Sequence, residues 1–367
     1  MSEVLKPCME VLYQEELEAL AANDKGERPA NWQLSPKAVR DFILGRDKPL
    51  EHNGKSITIS QKFYGDNALV ERCIVALASS RPLMLIGEPG TAKSYLSELL
   101  TAAICNNSRN TIQGSIGLTE DMIKYSWNYA LLIAKGPIPE ALVPSPLYIG
   151  LTQGIITRFE EITRAPLEIQ DSLISVMSDK ILSVPELKDQ PYIMAQRGFN
   201  IIATANTRDK GVNEMSAALK RRFNFETVRP INNINMEMAV IKKECSKLCA
   251  DMPETLLDDS MIDLLATTFR DLRTGQNSSG GKFDKPEAVL STAEAVQVYH
   301  QTVVDAHFYH DDQLSLKTLV NNISSAIVKD KESDLKLFKN YVKAMAKTQE
   351  KTDDTLYQDF ANLVAKC

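Results

Sequence analysis

Gly87-Glu88-Pro89-Gly90-Thr91-Ala92-Lys93-Ser94 is the segment of this chain best suited to hold a phosphate. It follows the apolar run Leu83-Met84-Leu85-Ile86 and precedes Leu96, Leu99 and Leu100 at helical spacing, so a buried strand must feed a turn and then a helix. Such a turn offers an anion backbone N–H donors, the positive end of a helix and a point charge. Gly87 and Gly90 let the backbone curl, Lys93 reaches the β/γ-phosphates, and the Ser94 hydroxyl ligates Mg²⁺. Ala92 stands where the strict pattern has glycine, and Tyr95 follows the segment directly.

A second cluster lies in Gly154-Ile-Ile-Thr-Arg158-Phe-Glu160-Glu161, an apolar extended segment closed by two carboxylates 67 residues after Lys93. Alone, a Glu-Glu pair reads as surface charge; in this place Glu160 can hold Mg²⁺ through water and Glu161 can polarise an attacking water. Adjacent side chains on a strand point to opposite faces, so this division needs the pair at a strand end, where the backbone turns. Glu160 stands where Asp is usual, an arm longer by about one C–C bond, ~1.5 Å. Arg158 interrupts a run that should be buried. Third comes Ile201-Ile-Ala-Thr-Ala-Asn206-Thr, a strand ending in an amide that can orient the lytic water, although strands also end in Asn as a turn residue. Fourth is Leu219-Lys-Arg221-Arg222-Phe223: either guanidinium could neutralise transition-state charge, or the pair could simply end a helix favourably.

The elements that position these groups are those of an α/β domain. The chain has 367 residues, 44% apolar and 25% charged, enough for two domains with proper cores. Its net charge of −6 disfavours a duplex-DNA coat. No apolar run approaches the length of a membrane span, and Met-Ser-Glu-Val lacks the pattern of a signal peptide. Six scattered cysteines suit reduced thiols, so a cytoplasmic location is expected. Cys245 and Cys249 lie one helical turn apart, yet no His is close in sequence, and thiols without metal are expected there.

Residues 1–62 read as a separate preface: a helical run from Met9 to Ala22, a second helix started by Ser35-Pro36 and ending near Gly45, and an edge strand from Lys55 to Lys62. Residues 63–229 read as the α/β core. Residues 230–367 carry only helical periods, at Met236–Lys247, Ser260–Leu272, Thr292–Phe308, Leu314–Val328 and Leu335–Ala346, with a flexible Asn277–Gly281 loop between. The lysines between 329 and 351 are balanced by acids and read as a solvated face.

In this order the four clusters resemble the AAA+ ATPases, and more narrowly their MoxR-like and dynein-related branch. GEPGTAKS carries the Ala-Lys-Ser ending common in MoxR proteins, which makes Ala92 a family trait. FEEITRAPLEIQDSLISVM is similar to the family's acidic Asn-Arg-Ala-Pro stretch and the helix after it. Lys180 to Met194 resembles the hairpin before sensor 1, residues 112–150 occupy the helix-2 insert, and IIATANT and LKRRF match sensor 1 and the arginine-finger segment. Two positions depart: Arg221 precedes Arg222 where Asp is usual, as in McrB-type GTPases, and Ala293 stands where a sensor 2 Arg is common. Arg164 could face a neighbouring subunit or make a structural salt bridge.

The resemblance implies a P-loop core with a parallel sheet flanked by helices, an all-α lid, and ATP bound with Mg²⁺ between them. Gly87 to Tyr95 would bind nucleotide, Ser94 and Glu160 the metal, Glu161 would activate water, Asn206 would position it, and Arg222 (or Arg221) would act as the finger of an adjacent protomer. It further implies a homo-hexameric ring that remodels or matures a protein client in chaperone fashion, with a von Willebrand A-domain partner. Two other readings remain open: a nucleic-acid-directed, McrB-like motor subunit, which the mixed charges of the hairpin do not favour, and a slowly hydrolysing nucleotide-gated scaffold, which Glu160 and Ala293 would suit.

Overall fold

Short apolar strands pair side by side into one parallel sheet, and that sheet sets where every candidate group sits. The computed structural model describes residues 5–189, 191–206, 213–253, 256–277, 281–286, 290–328, 332–349 and 355–366. Gln190 of the hairpin, Thr207 of the sensor segment, residues 278–280 of the glycine-rich loop, and residues 329–331 and 350–351 of the lysine-rich stretch lie outside the described residues. The chain divides into two units, one of Met1–Gly87 with Ala92–Val228, the other of Glu88–Thr91 with Arg229–Cys367.

The first unit opens with α1 (Met9–Leu12), α2 (Gln14–Asn23), α3 (Pro36–Leu44) and the hairpin β1 (Leu50–His52) and β2 (Lys55–Ile57). The expected single helix over Met9–Ala22 is interrupted at Tyr13, whose ring packs edge-on against Phe42 at 5.9 Å. Ser35 caps α3 by accepting from the Ala38 N–H, and Gly45 ends it at φ 81°. The expected edge strand over Lys55–Lys62 is shorter, because it is one arm of a hairpin: Asn53 and Gly54 take φ 50° and 73°, the two left-handed positions of a tight turn. Lys62 leaves the strand pattern altogether, buried on Glu16 and the Phe42 and Ser60 carbonyls. Leu20, Phe42 and Ile59 join one apolar core with Leu69, Leu96 and Leu100, so the N-terminal segment is built into this unit and is not a preface apart.

Next come α4 (Asn67–Ala78), β3 (Leu83–Gly87), α5 (Lys93–Cys105) and β4 (Thr111–Gln113). The insert follows, with α6 (Glu120–Ile123), β5 (Tyr125–Trp127), α7 (Tyr129–Lys135), β6 (Leu142–Pro144) and α8 (Pro146–Gln153). The unit closes with β7 (Ile156–Glu160), α9 (Leu167–Asp179), the hairpin β8 (Ile181–Ser183) and β9 (Tyr192–Met194), β10 (Asn200–Asn206), α10 (Ala217–Lys220) and β11 (Asn224–Thr227). The sheet order is β11-β3-β10-β7-β4, with every pairing parallel. Both faces are covered, as parallel sheets require. Leu83 and Leu85 enter one core and Met84 the other, following the period of two. Gly87, Glu160 and Asn206 end neighbouring strands, at the carboxyl edge where open α/β sheets place ligands.

The second unit is helical: α11 (Ile234–Leu248), α12 (Asp259–Thr274), α13 (Thr292–Tyr309), α14 (Leu316–Ile327), α15 (Glu332–Gln349) and α16 (Thr355–Lys366). Phe269, Tyr299, Ile323, Phe338 and Phe360 fill its core. Helix α16 is absent from the sequence reading, although Tyr357, Phe360 and Val364 recur at helical spacing and are buried. Glu237 of α11 is fully buried, takes a two-point salt bridge from Arg273 of α12 (3.1 and 2.9 Å), and accepts from Thr292 of α13 at 2.7 Å. Burial raises the Cys73, Cys105 and Cys245 thiols to about 12, so they are inert core groups. Among the described residues, no helix is long and apolar enough to cross a membrane.

Candidate active site

The turn between β3 and α5 has the shape its residue types call for. Gly90 and Ala92 both take left-handed backbone, φ 73° and 64°, which turns N–H groups toward one side as in an anion-binding nest. Helix α5 begins at Lys93 directly after it. The Lys93 side chain is buried and its Nζ donates to the Gly87 carbonyl at 3.1 Å. Glycine adopts Ala92's conformation without the Cβ penalty. Ala92→Gly should therefore stabilise the sheet unit by about 1 kcal/mol, read as a rise of about 2–4 °C in its thermal transition. An unchanged or lowered midpoint would show that Ala92 is unstrained.

The acid pair sits where the backbone leaves the strand. Glu160 ends β7, and Glu161 takes φ 52°, so the two carboxylates diverge from one strand end. Glu160 is 6% exposed and its carboxylate is fully engaged. Oε2 accepts from Ser94 Oγ at 2.6 Å and from Thr204 Oγ1 at 2.7 Å. Oε1 lies 2.8 Å from Ser97 Oγ and accepts from Arg158 Nη2 at 2.7 Å. Burial alone would push the Glu160 carboxyl up; the Arg158 charge and the hydroxyls of Ser94, Thr204 and Ser97 outweigh it and hold the group below its ordinary value. Glu161 is more open: its Oε2 lies 3.0 Å from Arg164 Nε and 3.4 Å from Gln113 Nε2, and its N–H donates to Thr204 Oγ1 at 2.9 Å. Arg164 thus makes a salt bridge within its own chain.

Asn206 lies opposite Gly87 in the β10–β3 register, which brings the amide beside the phosphate turn. Arg221 and Arg222 lie elsewhere. Asn224 pairs with Leu83, the first residue of β3, and donates to the Pro82 carbonyl at 2.7 Å, while Arg81 Nη2 lies 3.4 Å from the Arg221 carbonyl. The basic pair is therefore at the starting edge of the strands, about 13 Å of strand away from Gly87. Arg222 Nε donates to Ser178 Oγ at 2.5 Å and Nη1 to the Ala218 carbonyl at 2.6 Å. Ala293, in the first turn of α13, is exposed.

Four contributors escaped the sequence reading as functional residues: Ser97, Thr204, Gln113 and Arg158. Only Arg158 carried a signal, a charge two residues before Glu160 and so on the same strand face. The Ser94 hydroxyl and the Glu160 carboxylate are hard oxygen donors 2.6 Å apart, a pair that suits a small divalent cation sharing its shell with phosphate oxygens. No cluster of three or more His, Cys, Asp or Glu that could hold a metal without such help occurs among the described residues.

A family model described as the AAA domain of the dynein-related subfamily matches residues 82–223, and one described as the YehL-like AAA+ ATPase C-terminal domain matches residues 235–364. The chain is 47% identical over 348 residues to the protein YehL of Escherichia coli K12, covering 94% of this chain and 93% of YehL. It is 23% identical over 263 residues to YojN of Bacillus subtilis 168, covering 70% and 82%. Among solved structures, the RuvB Holliday junction branch migration motor of Thermotoga maritima aligns at TM-score 0.43 and 15% identity, covering 76% of this chain and 74% of that one. NtrX of Brucella abortus, solved with ADP, aligns at TM-score 0.47 and 12% identity, covering 83% and 64%.

Proposed function

The chain belongs to the YehL-like AAA+ ATPases of the dynein-related subfamily, and from that premise we propose that it hydrolyses ATP where β3, β7 and β10 end. The observation that carries this reading is the convergence of Ser94 Oγ and the Glu160 carboxylate at 2.6 Å, beside the buried Lys93, with Glu161 turned away from the same strand end. In the mechanism, Lys93 exchanges the Gly87 carbonyl for the β/γ-phosphates. Ser94 and Glu160 would hold Mg²⁺, which when bound supplies charge neutralisation at those phosphates. Glu161 accepts the proton of the attacking water, and Asn206, opposite Gly87, orients that water. Gln113 and Arg164 hold the Glu161 carboxylate in place.

Arg222 is proposed to complete a neighbour's site, because it stands at the strand edge away from its own phosphate turn. A shared site calls for a closed ring, proposed to be a hexamer that remodels a protein client with a von Willebrand A-domain partner. That output rests on the family resemblance.

Binding is tested at Lys93. Lys93→Ala removes the point charge and should weaken ATP about 10- to 100-fold in a calorimetric titration, with the circular dichroism melt retained. Unchanged affinity in the folded variant would remove the phosphate-turn assignment.

A further inference from the structure

The steps above give Arg158 no part, yet its guanidinium is buried at the centre of the site. A buried charge costs several kcal/mol unless it is paired and hydrogen-bonded, so a sheet interior keeps one only where its partners are built around it. Here they are. Nε donates to Ser97 Oγ at 2.9 Å, Nη1 to the Ser108 carbonyl at 2.7 Å, and Nη2 to Glu160 Oε1 at 2.7 Å, with Glu98 Oε1 at 3.5 Å. Two residues apart on β7, Arg158 and Glu160 face α5 together, and both touch its first turns. Lys93, the other buried cation of the site, is bonded to the Gly87 carbonyl.

Arg158, Ser94 and Thr204 donate to the Glu160 carboxylate, and Ser97 Oγ, whose one proton is shared with the Ser94 carbonyl at 2.7 Å, lies 2.8 Å from Oε1, so most of the roughly four lone-pair positions are taken. The Ser94 hydroxyl donates its proton to the same carboxylate and keeps its oxygen lone pairs for a cation. Of the two protein groups suited to a divalent cation, Glu160 is therefore the one already engaged by the chain itself.

We infer that Arg158 is a built-in counterion of Glu160, a positioning residue that holds the carboxylate against Ser94 without metal, and that competes with the divalent cation for it. Nucleotide can then dock before metal, and metal binds the nucleotide complex more weakly than Ser94 and Glu160 alone would allow. The inference rests on the reading of Ser94 and Glu160 as the cation's protein ligands.

Two positive groups on one carboxylate repel in a site of low dielectric, so removing one tightens the hold on the other. A merely structural Arg158 predicts the reverse, because a displaced Glu160 would bind metal worse. The full chain is loaded with ADP and titrated with Mn²⁺, read by electron paramagnetic resonance of the free ion. Arg158→Gln, which keeps a donor and loses the charge, should bind Mn²⁺ about tenfold more tightly than the parent, with ADP affinity in EDTA unchanged. Arg158→Lys, which keeps the charge, should match the parent. A folded Arg158→Gln protein with unchanged or weaker Mn²⁺ affinity overturns the inference. Should that variant not fold, the parent decides: its ADP affinity should be nearly the same in EDTA and in Mn²⁺, and a drop of about tenfold or more in EDTA overturns the counterion role. Absence of any Mn²⁺ binding to the parent's ADP complex would instead remove the metal-ligand reading, and the inference with it.

Discussion

Replacing Glu161 with Gln is expected to slow ATP turnover by about 10³-fold while leaving ATP affinity unchanged. The proposed task of Glu161 is to accept a proton from the attacking water, and an amide cannot. Its surroundings allow the exchange at small structural cost. The side chain is a third exposed, its ion pair with Arg164 is half in solvent, and its backbone N–H bond to Thr204 does not involve the carboxyl group. Glu160→Gln is the control, and it should behave differently. An amide there turns N–H groups toward donors, since Ser94, Thr204 and Arg158 all donate to that carboxylate. It also takes from buried Arg158 the nearer of its two carboxylates, leaving Glu98 at 3.5 Å, a fault worth about 1–3 kcal/mol. Glu160→Gln should thus lower the unfolding midpoint markedly, whereas Glu161→Gln should not. Single-turnover hydrolysis and a thermal melt on both variants separate the roles. If Glu161→Gln turns over at the parent's rate while a folded Glu160→Gln protein is dead, the two assignments are exchanged.

What could be read from the chain alone divides along a physical line. The strand, turn and helix around Lys93 and Ser94 are legible because they follow one another in sequence, and the acid pair is legible because two carboxylates close an apolar extended run. The parallel sheet was legible for a similar reason, since short apolar strands alternating with helices leave few alternatives. Ser97 and Thr204 were not, because a hydroxyl on a helix or strand gains its role only from what packs opposite, and Glu160 lies 63 and 44 residues from them. Arg158 stood out as a charge in a buried run, but its resolution depends on Ser108 and Ser97 arriving from other elements. The Asn53-Gly54 pair is a strong hairpin signal, but the alternation that follows it continues to Lys62, beyond the last paired residue Ile57, so alternation alone overstates the strand. Tyr13, whose ring packs edge-on against Phe42, interrupts a helix whose apolar periodicity continues through it, so the break is not legible from spacing alone.

Equal mixing of Arg222→Ala protein with Lys93→Ala protein should restore ATP hydrolysis that neither variant shows alone. The register of the sheet makes this the informative test for the finger. β11 starts beside the first residue of β3, so Arg222 stands at the edge of the sheet that faces away from its own phosphate turn. A finger contributes on the order of 10³-fold or more to phosphoryl transfer, so the Arg222→Ala protein should be nearly inactive with its ATP binding intact. The Lys93→Ala protein should be inactive for the opposite reason, keeping its finger and lacking a grip on ATP. In a head-to-tail ring each interface joins one chain's turn to the next chain's finger. Random mixing then makes roughly a quarter of interfaces pair an intact turn with an intact finger, and the recovered rate should approach that fraction of the parent's if sites act independently. Arg221 provides the internal control. It is exposed, and its carbonyl rather than its guanidinium meets Arg81, so Arg221→Ala should leave turnover close to the parent's if Arg222 is the finger. If labelled subunits exchange freely and no mixture regains activity, the shared site is wrong. The bonds of Arg222 to Ser178 and the Ala218 carbonyl then describe its whole task, the closing of a short helix within its own chain.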